Sequence, residues 1–116
     1  VIWISICSSA MGNQGYYGAE ETNRIMGEKE ASPTAVIVNP EGTIGRMYGA
    51  ATTPHLFIID PQGRLIYQGA IDSIAGTDPG EIAQADNYVK KALDASLKGD
   101  PIEVSATKSY GCSVKY

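Results

Sequence analysis

The chain opens on Val1-Ile2-Trp3-Ile4-Ser5-Ile6, an almost uninterrupted β-branched and aromatic run closed by Cys7-Ser8-Ser9, and Thr34-Ala35-Val36-Ile37-Val38 repeats the pattern further on. Apolar residues at nearly every position suit a strand buried on both faces, as in a parallel sheet covered by helices. The stretch between the two runs carries helical spacing from Ala19 to Lys29. Glu20 and Glu21 stand in the first turn and Lys29 near the end, where the helix dipole favours their charges, and Ile25 and Met26 mark the apolar side. Ser32-Pro33 stops that helix. Strand, helix and strand in this order imply a crossover and a parallel pair. Gly12 to Gly18, with three glycines around Asn13, Tyr16 and Tyr17, is a loop of some length and the first functional suspect.

The remainder follows from turn chemistry. Asn39-Pro40-Glu41-Gly42 is a strong turn signal, after which Thr43 is expected to cap a single helical turn through Ile44, Met47 and Tyr48, closed by Gly49. His55 to Ile59 is a strand entered through Thr53-Pro54 and left through the tight turn Asp60-Pro61-Gln62-Gly63, and Leu65 to Gln68 is its antiparallel partner. Asp78 as cap and Pro79 at the first helical position begin a long helix. Ile82, Ala85, Val89, Ala92, Leu93 and Leu97 mark its apolar face, and Gly99 and Pro101 end it. Ile102 to Val104 reads as extended, and 105–116 as a tail that docks or frays. The order β-α-β-α-β-β-α predicts a single domain over residues 1–116, a three-layer α/β fold with a mixed sheet.

Several functions are disfavoured at once. Nine Lys and Arg against thirteen Asp and Glu, a net charge of −4, give no basic field for a nucleic-acid backbone. The content of 43% apolar and 19% charged residues belongs to a folded domain rather than a disordered tail. Two cysteines and one histidine cannot complete the usual zinc sites, so neither a metal nor a cofactor is expected. The apolar run at the start is too short to span a membrane and has no basic segment before it, so no membrane partner is expected and the location stays open.

Three features then coincide: Asn39-Pro40-Glu41-Gly42 followed by a helical turn ending at Tyr48-Gly49, Thr52-Thr53-Pro54, and Phe57-Ile58-Ile59-Asp60-Pro61-Gln62-Gly63. Together they resemble the thioredoxin-like redoxins of the alkyl hydroperoxide reductase and thiol-specific antioxidant type. Gly111-Cys112-Ser113-Val114-Lys115-Tyr116 is similar to the end of one branch of them. The resemblance covers almost the whole chain and implies a thioredoxin-like fold, with a cis peptide between Thr53 and Pro54 and the loop Thr53-Pro54-His55 beside the catalytic thiols. It also implies a departure. The family's attacking cysteine lies at the start of a helix upstream of the segment that Val1 to Ile6 matches, so the first core strand, its helix and that cysteine have no counterpart here. No Cys-x-x-Cys or Thr-x-x-Cys occurs anywhere in the chain.

Cys7 and Cys112 are the remaining catalytic candidates, and neither stands in the sequence setting that lowers a thiol pKa. Cys7, at the end of an apolar strand, reads as a small buried hydrophobe or, since strand ends face the ligand edge of open α/β sheets, as a redox or binding group. For Cys112 an exposed thiol, a bridge to Cys7 and a resolving role stay open. His55 reads as a packed or exposed side chain before a general base. The expected function is therefore a redoxin relative without peroxidase or disulfide-reductase activity of its own. The alternative is a thiol-dependent oxidoreductase or peroxidase, either as part of a longer chain or through Cys7 or Cys112. An absent core strand leaves unpaired backbone groups and exposed apolar surface. Either the flanking strands close up or a second copy covers them, which makes a homodimer the expected partner, with a thiol protein or peptide as the other.

Overall fold

The computed structural model describes residues 1–76 and 78–116, a mixed α/β architecture with four helices and small two-stranded ladders. It divides into two compact units, Val1–Ala50 with Val114–Tyr116, and Ala51–Ser113.

In the first unit β1 (Ile4–Cys7) and β2 (Ala35–Val38) pair in parallel, with Ile4 opposite Ala35 and Cys7 opposite Val38. Helix α1 (Ala19–Glu28) makes the crossover between them, and Arg24 ties Glu21 and Glu28 along its outer face. The expectation that β1 is buried on both faces is corrected. Ser5, Cys7, Val36 and Val38 are half-buried, whereas Ile4 is 52%, Ile6 42% and Ile37 37% exposed, so one face of the ladder is apolar and open. A continuous apolar run states that both faces want cover, but not that this chain supplies it. Helix α2 (Thr43–Tyr48) follows the Asn-Pro turn. Its cap differs from the expected Thr43: Gly42 precedes the helix at φ 70°, while Asn39 reaches forward so that its Oδ1 accepts the Ile44 N–H at 2.9 Å. Asn39 outcompetes Thr43 because the positive φ of Gly42 turns the chain back over it.

In the second unit β4 (Leu56–Ile59) and β5 (Leu65–Gly69) form the expected hairpin, with a register shift between Ile58 and Ile59. Asp60 organises the turn by accepting the N–H groups of Gln62 and Arg64. The single long helix expected from Pro79 is instead two, α3 (Pro79–Ile82) and α4 (Tyr88–Lys98). Asp78 caps the first through the Gly80 N–H, and Asn87 starts the second by accepting the Lys90 N–H at 2.8 Å. Helical spacing continued across the break, but the Asp86 N–H goes to Ser73 Oγ and Asp86 O takes the Ser73 N–H, and Asp86 also accepts Lys91 Nζ. Helix α4 lays Val89 and Ala92 on wholly buried Tyr67 of β5, with Leu56, Ile58 and Ile102 around them. Residues 105–107 dock on the hairpin rather than fray: Gln68 N–H donates to Ser105 O and Thr107 N–H to Gln68 O, both at 3.0 Å. The chain ends this unit in β6 (Cys112–Ser113), antiparallel to β3 (Thr52–Thr53), a ladder with no counterpart in the expected order.

Candidate functional site

Residues 52–55 and 110–113 build the more organised of the two thiol surroundings. Thr53 stands opposite Cys112 and Thr52 opposite Ser113. The Thr53–Pro54 peptide is cis, and Thr52 Oγ1 closes the loop by donating to Pro54 O at 2.8 Å. Gly111 lies flat against this loop. A Cβ there would fall inside contact distance of Thr53 O and 3.4 Å from Pro54 Cδ, and its φ of +126° is one that side chains rarely adopt. Tyr110, one residue earlier, donates its hydroxyl to Asp72 Oδ1. Burial first, and then the Asp72 carboxylate beside it, push the Tyr110 phenol up to about 12, so it stays a neutral donor pinning the approach to Gly111 and Cys112. The Cys112 thiol is free and exposed.

His55 completes the loop in a defined state. Its Nδ1 accepts the Ala51 N–H at 3.1 Å, which places the proton of the neutral ring on Nε2, and its ring stacks on Phe57 at 4.6 Å. Burial lowers its pKa below the usual histidine value and keeps the ring neutral. Taking a proton at Nδ1 would break the bond to Ala51, so the imidazole serves as a fixed donor through Nε2 rather than as a base at Nδ1. Neither Gly111 nor Asp72 was singled out from the sequence. The only trace of the first is a glycine next to a cysteine in a polar tail. The structure gives Asp72 to the Ile74 N–H and the Tyr110 hydroxyl, and Asp60 to its turn.

Cys7 belongs to the first unit. It is a half-buried free thiol whose Sγ donates to Gly15 O at 3.1 Å, across the loop suspected from its glycines. Ser8 and Ser9 behind it are buried. The Cys7 thiol must give up this bond to Gly15 O before its sulfur can meet a substrate. Among the described residues no group of three or more His, Cys, Asp or Glu side chains gathers to hold a metal. Among the same described residues no helix is long and apolar enough to cross a membrane.

No family model matches the chain, and no curated protein does. Its fold is shared with solved structures. A hypothetical protein from Sinorhizobium meliloti 1021 superimposes with a TM-score of 0.80 at 24% identity, over 97% of this chain and 60% of that one. An uncharacterized conserved protein from Geobacillus kaustophilus gives 0.80 and 24%, over 99% of this chain and 59% of that one. The chain thus spans about 60% of the length of the structures it matches.

Proposed function

We propose that this chain is a thioredoxin-like redoxin relative whose own two thiols perform no peroxidase or disulfide-reductase chemistry, and whose Thr53-Pro54-His55 loop serves binding. The observation that carries the proposal is the state of the candidate groups. The Cys7 proton is spent on Gly15 O, and the Nδ1 lone pair of His55, the single imidazole, is spent on Ala51 N–H. What remains at the loop is an exposed thiol, a fixed imidazole donor and a short ladder, a surface suited to a thiol protein or an extended peptide. The test is reaction of the full chain with hydrogen peroxide, read for Cys7 and Cys112 separately by peptide mass. Neither thiol is expected to oxidise more than about threefold faster than free cysteine, and Cys7, half-buried and bonded to Gly15 O, is expected to react more slowly than exposed Cys112. A sulfenic acid formed far faster, or a rapid disulfide, overturns the proposal.

The open face of β1 and β2 supports a partner. A two-stranded ladder presenting Ile4, Ile6 and Ile37 to water is poorly stable alone, and a second copy burying the same face on both sides would form a self-complementary interface. Sedimentation of the full chain is expected to give a dimer, and Ile6→Lys a monomer. A wild-type monomer at all concentrations removes the homodimer.

A second proposal is favoured by the shorter span of this chain beside its matched structures. In it, the chain is part of a longer thiol-dependent oxidoreductase whose attacking cysteine precedes Val1. A coding segment with Gly-Cys-Pro upstream favours it, and the exposed isoleucines would then be covered by that segment rather than by a second copy.

A further inference from the structure

We propose that Val114–Tyr116 is a strap that holds the loop of residues 8–18 closed over the Cys7 thiol, and that its release exposes that thiol. The strap has two attachments, both within the first unit. On the loop side, Lys115 O accepts the Ala10 N–H at 2.7 Å and a longer bond from Asn13 Nδ2 at 3.4 Å. On the other side, Tyr116 is seated on α2. Its hydroxyl donates to Ala50 O at 2.6 Å, and the Arg46 guanidinium carbon lies 4.5 Å from its ring centre. The seat exists because two glycines leave it empty: a Cβ at Gly42 would stand 2.6 Å from the ring, and one at Gly45 2.8 Å from both the Tyr116 hydroxyl and Ser8 Oγ.

The loop between these anchors is held by few bonds of its own. Asn13 N–H returns to Ala10 O at 3.0 Å and Tyr16 N–H to Asn13 O at 3.1 Å, and at its far end Gly15 O receives the Cys7 thiol. Ala10 and Asn13 are therefore the points at which the strap and the cover of Cys7 meet. A segment with so few internal bonds opens locally without global unfolding, and the strap sets how often. Charge supports the seat as well: Arg46 Nη1 is fixed to Glu41 O at 2.6 Å, which aims the cation at the ring.

The experiment measures alkylation of Cys7 by N-ethylmaleimide in the folded full chain, resolved by peptide mass, together with amide hydrogen exchange over residues 8–18. Tyr116→Ala is expected to raise the Cys7 rate about tenfold and to speed exchange in the loop, since it removes both the hydroxyl bond and the ring from the seat. Tyr116→Phe keeps the ring and is expected to give an increase of about two- to threefold. A Cys7 rate or a loop exchange unchanged in Tyr116→Ala overturns the strap. Should circular dichroism show Tyr116→Ala to be unfolded, Tyr116→Phe decides, and an unchanged Cys7 rate in it overturns the strap equally.

Discussion

Tyr67→Ala is expected to cost the second unit about 3–5 kcal/mol, enough to unfold it in a chain of this size. Tyr67 is 0% exposed and is the residue on which α4 lands, through Val89 and Ala92. Truncating it removes an aromatic side chain from contact on all sides, and neighbours anchored on a helix and a hairpin cannot collapse into the space. The hydroxyl adds a separate contribution. It donates to Ala70 O and meets Thr107 Oγ1 at 2.7 Å, while Thr107 Oγ1 also takes the Ala70 N–H at 2.9 Å. Tyr67→Phe keeps the packing but leaves Ala70 O without its donor and the Thr107 hydroxyl without its acceptor, so about 1–3 kcal/mol is expected. Denaturant unfolding of both variants separates the two contributions. A Tyr67→Phe protein as stable as the parent would mean that water replaces the hydroxyl. Burial raises the Tyr67 phenol above its ordinary value, so the donor persists through the neutral and mildly alkaline range.

What the sequence announced was local. The alternation of β-branched runs with an acidic-start helix predicts β1, α1 and β2, and Asp60-Pro61-Gln62-Gly63 predicts the β4–β5 hairpin, because each is decided within a few residues. The split of the expected long helix was hidden because Ile82, Ala85 and Val89 keep helical spacing across it. The deciding groups include the Asp86 N–H bond to Ser73 Oγ, which depends on a segment thirteen residues away. Exposure of Ile4 and Ile6 was illegible for another reason: a run of apolar residues states what a strand would bury, and burial needs a covering element. The candidate site divides in the same way. Thr53, Pro54 and His55 were singled out from their own motif, whereas the ladder that brings Cys112 to Thr53 pairs residues nearly sixty positions apart, and two-residue strands leave no periodicity to read.

Gly111→Ala tests whether that long-range pairing holds the site. The substitution meets two obstacles at once: a φ of +126°, which alanine adopts only under strain, and Thr53 O in the space its Cβ would need, with Thr53 C 3.0 Å away. Backbone on both sides prevents relief by a rotamer change, so β3 and β6 are expected to part, at a loss of about 2–3 kcal/mol. The effect should be confined to that end of the unit. Amide exchange at Thr52, Thr53 and Ser113 is expected to accelerate, while the Tyr67 core, tied to Thr107 further up the chain, keeps its protection. Cys112→Ser is the control. The thiol is exposed and the backbone pairing of residue 112 does not need it, so a change within about 0.5 kcal/mol is expected. Large loss in Gly111→Ala with none in Cys112→Ser assigns the organisation of the loop to the glycine's backbone, leaving the thiol free to contact a bound partner. Equal losses would show the sulfur to be engaged in the fold, and the binding role proposed for this surface would then have to rest on Thr53 and His55 alone.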